Sequence, residues 1–233
     1  MLLRLALTTD EEHRIRWLLY GLGVLAMSLI GARLAFILAH ANYYATRKSE
    51  LADLSAGGLW WPGAAAGGLL AMIIIGLVKN NGIKKTFDRF SVFLLPLSAA
   101  FWLAGWSGGV AYGARVDAGA WWGISMLDVT GVSAPRFPLQ LLAAVTLAGL
   151  LGTIEWRWRK PAAHGRRMSV LLLALSVHTL LFSLLRADPA QPFIGLRIDT
   201  WASILLSILS ASLLAVTFDV KSREISTEKE FIE

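Results

Sequence analysis

The sequence predicts an all-α membrane protein that crosses the bilayer about six times. The chain of 233 residues is 56% hydrophobic, with a mean hydropathy of +0.59. Only 16% of its residues are charged, against roughly 25% in an ordinary soluble domain. Six apolar stretches are each long enough for a helix to cross a hydrocarbon core of about 30 Å. These observations indicate a polytopic helical bundle.

Each predicted span is bounded by residues typical of a membrane surface or a helix end. The first follows the charged stretch DEEHRIR, the second begins at the glycines and tryptophans of residues 57–61, and the third follows the basic segment KKTFDR. Pro138 opens the fourth, two arginines precede the fifth, and the sixth runs from Trp201 into a charged end. The predicted spans are 17–40, 59–78, 91–114, 138–156, 168–185 and 201–218. Residues 1–218 would form a single transmembrane domain, and residues 219–233 a charged cytoplasmic tail.

The lysines and arginines predict the orientation, because cytoplasmic segments of membrane proteins are enriched in them. Fifteen lie in the N-terminal segment, the second and fourth connections and the tail, among them Arg4, Arg159 and Lys160, whereas six lie in the other three connections. We therefore expect both termini in the cytoplasm. Anionic headgroups next to these residues account for the net charge of +6, so nucleic acid is not predicted as a partner.

Three polar side chains at or near membrane depth are candidate functional residues. Arg33, near the outer half of the first span, needs a partner or an anionic ligand there; alternatively its long side chain reaches the outer headgroups. His178, in the middle of the fifth span, is the one catalytic candidate, although such a histidine more often hydrogen bonds another helix. Arg186, beside Asp188 at the outer end of that span, either binds a lipid phosphate or stabilises the helix C-terminus.

Several kinds of chemistry are excluded because the motifs that they require are absent from the sequence. The chain has no cysteine, no phosphate-binding Gly-Lys-Ser/Thr loop, no histidine pair at metal-ligand spacing and no Gly-x-Ser-x-Gly elbow. We therefore predict neither a metal nor a cofactor. The third connection, about residues 115–137, carries Trp121 and Trp122 among glycines, and we expect it to lie in the headgroup region or to fold back over the helices.

Five short stretches follow one another in a distinctive order and spacing. They are GARLAFIL, GGLWWPGAAAGGLLA, RVD after a glycine-rich helix, PRFPLQLL and LLRADPAQ. In this order they resemble the bacterial prolipoprotein diacylglyceryl transferases, over about residues 20–215. Enzymes of that family move a diacylglyceryl group from phosphatidylglycerol to the cysteine of a lipobox, in the outer half of the inner membrane. The family has seven helices, and this chain is expected to begin at the second, which again places the N-terminus in the cytoplasm.

The resemblance implies that the lipid-binding scaffold is kept. Four arginines would bind a phospholipid headgroup, namely Arg33, Arg115, Arg136 and Arg186. The residues expected to line the lipid cavity are Gly57, Gly58, Trp60, Trp61, Pro62, Gly63 and Gln140. The glycines would let helices approach closely, and Trp60, Trp61 and Pro62 would block or reshape the cavity. The alternative is an ordinary pair of interfacial tryptophans at a helix start, with proline in the first turn.

The resemblance also implies that the catalytic groups of the family are missing. Pro62 stands where the family has a histidine. The other substituted positions are Leu103, Trp106, Gly109 and Ala111 for Arg, Asn, Asn and Glu, then Phe137 and Leu139 for His and Ser, then Leu175, Thr179 and Ser183 for Tyr, Arg and Glu. Diacylglyceryl transfer needs cationic and basic groups at the reacting atoms. We expect the scaffold without the chemistry.

Three classes of function are open at this point. We favour a catalytically inactive, phospholipid-binding accessory or scaffold subunit of a membrane complex in the bacterial inner membrane, with phosphatidylglycerol as the candidate lipid and other membrane proteins as partners. The alternative is an active phosphatidylglycerol–prolipoprotein diacylglyceryl transferase that uses His178 and Arg186. A carrier or channel is disfavoured, because the sequence has neither paired broken helices nor polar residues lining a path.

Overall fold

The computed structural model describes residues 14–54, 57–79, 82–158, 165–190 and 192–230, with side chains from residue 15 to residue 217 within those ranges. Arg4, Arg159 and Lys160, used to predict the orientation, and the last three residues of the predicted tail lie outside the described residues. In this part of the chain six helices are long and apolar enough to cross a membrane, which confirms the predicted fold class. They are Ile15–Ala39, Trp61–Val78, Ile83–Ser107, Leu139–Arg157, Arg166–Leu184 and Ile198–Thr217.

The chain forms two compact units, and the first comprises Met1–Phe90. Its helices are α1 (Arg14–Ala39), the short α2 (Ala41–Ala45), α3 (Trp61–Val78) and α4 (Ile83–Phe90), with a 3-10 turn at Lys48–Glu50. Helices α1 and α3 pack along a glycine seam of Gly31, Gly63 and Gly67, where the two backbones are so close that an added Cβ would overlap the facing helix. This is the close approach predicted from the glycines of the second span.

The second unit comprises Ser91–Glu233 and is built on four further helices. They are α5 (Leu94–Ser107), which follows a 3-10 turn at Ser91–Phe93, then α6 (Leu139–Arg157), α7 (Arg166–Leu184) and α8 (Ile198–Glu230). The core contains Trp102, Leu147, Leu151 and Leu171, all nearly inaccessible to solvent. Burial of such large apolar side chains fixes how α5, α6 and α7 pack together.

Two antiparallel hairpins lie between the helices of the second unit. Strands β1 (Ile124–Leu127) and β2 (Ser133–Arg136) pair with Ile124 opposite Arg136. Strands β3 (Pro192–Phe193) and β4 (Leu196–Arg197) pair with Pro192 opposite Arg197. A backbone hydrogen bond from Ala187 to the Tyr112 carbonyl oxygen (2.8 Å) joins the segments that carry the hairpins, so both hairpins belong to the same end of this unit.

The predicted bounds of the third span, 91–114, are wrong at both ends. The apolar helical span begins at Ile83, so Lys84, Lys85 and Arg89 lie on helix α4 and not in a loop. The amphipathic pattern of α4 explains this, since its apolar side is buried while both lysines stay exposed. At the other end Gly109 takes a φ of +63° and the Val110 N–H donates to the Gly105 carbonyl oxygen (3.0 Å), which ends the helix at Ser107.

Candidate functional site

Arg33 is buried and bound to the polypeptide of its own unit. Its Nη2 donates to the Glu50 carbonyl oxygen (2.6 Å) and its Nε donates to that of Leu51 (3.0 Å). Its Nη1 donates to the carbonyl oxygens of Gly57 (2.7 Å) and Gly58 (3.3 Å). Only 7% of the residue is exposed. Arg33 therefore has the partners that a buried arginine requires. Its hydrogen bonds stabilise the connection between α1 and α3.

The Gly57–Gly58 pair makes this arrangement possible. Both residues have φ near +80°, at +79° and +78°, in the left-handed region that favours glycine. An added Cβ on Gly58 would lie 2.6 Å from the Arg33 Nη1. The two glycines thus turn their carbonyl oxygens towards one guanidinium group, and Gly57 lies at the surface.

The Trp60–Gly63 segment forms the start of helix α3. Trp60 is extended, and its N–H donates to the Ala32 carbonyl oxygen of α1 (3.1 Å). Pro62 lies in the first turn, where a missing N–H costs no hydrogen bond. Trp60 and Trp61 are half-buried, and Gly63 lies in the glycine seam. Pro62 therefore lies where the alternative interpretation, an ordinary helix start, expects it. The blocking of a lipid cavity by this segment stays a prediction.

Arg115 and Arg136 share one carboxylate in the second unit. The Arg136 Nη2 donates to the Asp128 Oδ2 (2.9 Å), and its guanidinium carbon lies 4.1 Å from the centre of the Tyr112 ring. The Arg115 Nη2 lies 3.8 Å from the same oxygen, but 64% of the Arg115 side chain is exposed. Two cations around one carboxylate leave a net positive charge, and the accessible part of it is on Arg115.

Asp128 is held in its ionised form by the turn that it closes. Donation from the Thr130 hydroxyl and from the Val132 N–H lowers the pKa of Asp128 to about 2, and the Arg136 charge adds to this against the opposing effect of burial. The Asp128 Oδ1 accepts hydrogen bonds from the Thr130 N–H (2.9 Å) and the Val132 N–H (3.0 Å). The carboxylate therefore organises the β1–β2 turn as well as binding Arg136.

Gln140 lies in the interior of the second unit, in the first turn of α6. Its Nε2 donates to the Val110 carbonyl oxygen (2.9 Å), and 1% of the residue is exposed. The buried Oε1 has no hydrogen-bond partner among the described residues. Gln140 thus holds the turn that follows α5, and its predicted role in lining a lipid cavity stays a prediction.

Arg186 belongs to a closed network of two arginines and two aspartates. It donates to both Asp188 carboxylate oxygens, from Nε (2.9 Å) and Nη2 (2.7 Å), and from Nη1 to the Asp199 Oδ2 (2.9 Å). Arg197 donates from Nη2 to the Asp188 Oδ2 (3.1 Å) and from Nη1 to the Asp188 carbonyl oxygen (2.7 Å). The two positive and two negative charges balance, and all four side chains are mostly buried.

The electrostatics of this network favour charged forms on both sides. Burial acts to raise the pKa of Asp188, but the hydrogen bonds and charge of Arg186, helped by Arg197 and by the Ala111 N–H, bring it below its ordinary value. Burial acts to lower the pKa of Arg186, but the two aspartates outweigh it and raise that pKa. Arg186 and Asp188 were paired in the prediction from the sequence, but Arg197 and Asp199 were not predicted as their partners. The signal was present, because an arginine and an aspartate recur just before the sixth span.

A hydrogen bond of His178 connects α7 to α6. This agrees with the interpretation of His178 as a residue that hydrogen bonds another helix. Its Nε2 lies 2.9 Å from the Thr146 Oγ1, and the Thr146 hydroxyl donates to the Leu142 carbonyl oxygen (2.7 Å). If the Thr146 hydroxyl donates to Leu142, His178 donates from Nε2; its buried Nδ1 has no partner in the described part of the chain. The ring stacks on Phe182 at 4.3 Å. Among the described residues no group of three or more histidines and acids could hold a metal ion.

Hydroxyl groups occupy the side of α7 on which the family resemblance places an arginine and a glutamate. Ser183 shares a hydrogen bond with the Thr200 hydroxyl of α8 (3.0 Å), and the Ser207 hydroxyl donates to Ser176 (3.0 Å). Thr179 is buried in the same helix. Small hydroxyls of this kind join two membrane helices closely and leave few donors for a ligand.

The comparison with known families agrees with the resemblance found in the sequence. The family model described as prolipoprotein diacylglyceryl transferase matches residues 4–216. Among individually curated proteins, no sequence matches significantly. In the described part of the chain, the matched range includes five of the six helices that could cross a membrane in full and the sixth up to its last residue. This chain, a multi-pass membrane protein, belongs to the prolipoprotein diacylglyceryl transferase family.

Proposed function

We propose that the chain is a catalytically inactive member of the family, which binds phospholipid and serves as an accessory or scaffold subunit of a complex in the bacterial inner membrane. In this proposal both termini face the cytoplasm. The lipid is an anionic phospholipid such as phosphatidylglycerol, and the partners are other membrane-protein subunits. The observation that carries the proposal is that three of the four arginines predicted to bind a headgroup direct their guanidinium groups at acceptors of the protein itself.

Donor occupancy supports the loss of catalysis. Arg33 donates to four backbone carbonyl oxygens and Arg186 to two carboxylates. Arg136 donates from Nη2 to Asp128, while its buried Nε has no partner among the described residues. Transfer of a diacylglyceryl group leaves a glycerophosphate whose developing charge must be stabilised by donors preorganised for it. Donors that already bind buried protein acceptors can turn to a phosphate only by leaving those acceptors unpaired.

The residues at the substituted positions support the same conclusion. Leu103 is half-exposed on α5, and the buried Ala111 places only a methyl group where the resemblance implies a glutamate. Thr179 and Ser183 stand in place of an arginine and a glutamate, and Ser183 is bonded to Thr200. Neither an apolar side chain nor a neutral hydroxyl can stabilise a phosphate leaving group as an arginine does.

A residual phospholipid contact is supported by Arg115. Its side chain is the most exposed of the four arginines, and it carries the excess positive charge of the Arg115–Asp128–Arg136 cluster. A guanidinium group binds a phosphate through two parallel hydrogen bonds. We place the headgroup contact at Arg115.

One observation favours the runner-up function, an active diacylglyceryl transferase. The His178 Nδ1, which has no hydrogen-bond partner among the described residues, would offer a lone pair to a thiol proton. The other ring nitrogen and the stacked Phe182 already orient the ring. If this function holds, His178→Ala abolishes transfer, whereas Thr146→Val, which removes only the partner of Nε2, retains part of it.

The experiment that tests the proposal is purification in mild detergent with three readouts on the same sample. Mass spectrometry identifies the co-purifying proteins and lipids, and a lipobox-peptide assay measures diacylglyceryl transfer against an active family member. The variants Arg115→Gln and Arg47→Gln form a matched pair, because both arginines are exposed and only Arg115 belongs to the proposed lipid contact.

The three readouts separate the candidate functions. Stable protein partners, no transfer, and loss of bound anionic phospholipid in Arg115→Gln but not in Arg47→Gln support the scaffold function. Transfer that depends on His178 supports the runner-up and overturns the proposal. Equal lipid retention in both variants removes Arg115 as the headgroup contact, and the absence of any protein partner removes the scaffold role.

A further inference from the structure

The β3–β4 hairpin presents an apolar tip outside the membrane-spanning helices. Phe193 and Ile194 form this tip, and 76% of Ile194 is exposed. The β1–β2 hairpin and the loop before it also expose large apolar side chains, such as Trp121 and Leu127, whereas Met126 is buried. A tip made of two large apolar side chains loses stabilisation in water and gains it only if a nonpolar environment covers it.

The backbone at the tip has a conformation that is unfavourable for isoleucine. Ile194 has a φ of +49°, and a β-branched residue is rarely found at positive φ. The adjacent Gly195 also has a positive φ, of +76°. Glycine or asparagine would form this turn with less strain. An apolar, β-branched side chain at such a position indicates a use for the side chain itself.

The rest of the hairpin is held rigidly. Arg197 on β4 donates to the carbonyl oxygen and to the carboxylate of Asp188. The Trp201 indole Nε1 donates to the Phe193 carbonyl oxygen (2.8 Å). These bonds connect the hairpin to the four-residue charge network and to the start of α8, so the apolar tip is displayed in a defined position.

Trp201 also sets the depth of the tip. It lies in the first turn of the candidate span Ile198–Thr217, and its bond to Phe193 places that residue level with the end of the span. One turn further along the span, 65% of Leu205 is exposed, as expected of a side chain facing lipid. The headgroup region adds several ångströms beyond the hydrocarbon core, and tryptophan favours this zone.

We propose that Phe193 and Ile194 form a wedge that inserts into the membrane leaflet next to the start of α8. The occupant of the apolar tip is then phospholipid, at the boundary between headgroups and acyl chains. Continuity with the lipid-facing side of α8 favours lipid over a protein partner. The nearby charges do not oppose insertion, because Arg197 and Asp199 are neutralised within the network.

The absence of cysteine from the sequence allows a direct test. The variants Ile194→Cys and Leu205→Cys are each labelled with a polarity-sensitive fluorophore and reconstituted into phosphatidylcholine–phosphatidylglycerol vesicles. Nitroxide-labelled lipids then report contact with the bilayer, and iodide reports contact with water. We expect the label at Ile194 to be quenched by a nitroxide near the headgroup more than by one deep in the acyl chain, and the label at Leu205 to show the reverse order.

Two other patterns overturn the wedge. Quenching of the Ile194 label by iodide to the level of the free fluorophore means that the tip lies in water. Protection from iodide without quenching by any nitroxide lipid means that protein covers it.

A second variant tests the apolar side chain without disturbing the turn. Asparagine accepts the left-handed conformation with less strain, so Ile194→Asn should leave the elution volume unchanged and the thermal midpoint equal or higher. A label at Phe193→Cys should lose most of its nitroxide quenching when Ile194→Asn is added. Unchanged quenching in that double variant overturns the role of Ile194.

Discussion

The glycine seam between α1 and α3 gives a sharp test of the fold. Gly31 and Gly23 both lie on α1, eight residues apart in sequence, but their surroundings differ. An added Cβ on Gly31 would lie 3.1 Å from the Gly67 Cα and closer still to the Gly63 carbonyl oxygen. An added Cβ on Gly23 would meet nothing within 4 Å. The substitutions Gly31→Ala and Gly23→Ala therefore add the same methyl group to the same helix with opposite consequences.

The magnitude follows from these distances. Carbon atoms pack best at about 3.5–4.0 Å, so the helices must separate by roughly half an ångström or more at Gly31, which weakens packing along the seam. Overpacking of this kind costs about 1–3 kcal/mol of the free energy of unfolding. At Gly23 the change to alanine should be neutral or stabilising by up to about 1 kcal/mol, because alanine favours the helix.

Unfolding of the purified variants in mixed detergent micelles, followed by loss of helical circular dichroism, measures both changes. The expected result is a lower free energy of unfolding for Gly31→Ala and an equal or higher one for Gly23→Ala. Equal effects of the two substitutions would refute the close approach of α1 and α3, since they would show that the space around Gly31 resembles that around Gly23.

Three further predictions concern the charged groups. Arg33→Met leaves four carbonyl oxygens of the α1–α3 connection without their donor, so it should cost at least about 1.5–3 kcal/mol of the free energy of unfolding and speed hydrogen exchange there, whereas the exposed Arg47→Met should cost about 1 kcal/mol or less. Arg186→Lys breaks the bidentate contact with Asp188 and should cost several-fold more stability than Arg115→Lys, because an exposed ion pair contributes only about 0–1 kcal/mol; equal costs would show that the network is not structural. The pKa of Asp128 lies at about 2, below the ordinary 3.8, so its stabilisation of the β1–β2 turn is complete above the ordinary value and is lost as pH falls towards 2. Proteolysis of this hairpin by pepsin, divided by the cleavage rate of an unstructured peptide at the same pH, should increase over that interval, and in Asp128→Asn this ratio should no longer change with pH.

The helical architecture could be predicted because it depends on local properties of the sequence. Apolar stretches of sufficient length and their charged ends indicate the six spans directly. The third span was the exception, since Lys84 and Lys85 continue a helix whose other side is apolar. The composition of a stretch records only how many charges it contains. On the helix, the two lysines lie on a different side from Phe87 and Phe90.

The hairpins were missed for a different reason. Each contains strands of two to four residues, too short for an alternating pattern to be recognised. They also make contacts outside their own strands, such as the Arg115–Arg136 bridge and the bond from Trp201 to Phe193, which the sequence pattern does not show. The sequence predicts Trp121 and Trp122 at the membrane surface, but it gives no indication of the exposed apolar tip formed by Phe193 and Ile194.

The arginines show which information about a residue's role a sequence motif contains and which it lacks. A motif predicts that Arg33 and Arg186 are retained, but their function depends on whether any guanidinium N–H is free. The partners of Arg33 are backbone carbonyl oxygens, which every residue has and which therefore leave no mark in the sequence. The partners of Arg186 are aspartates, which do leave one. Arg33 and Arg186 thus have structural roles in their own units, and the exposed side chain of Arg115 is where a test of lipid binding has the most power.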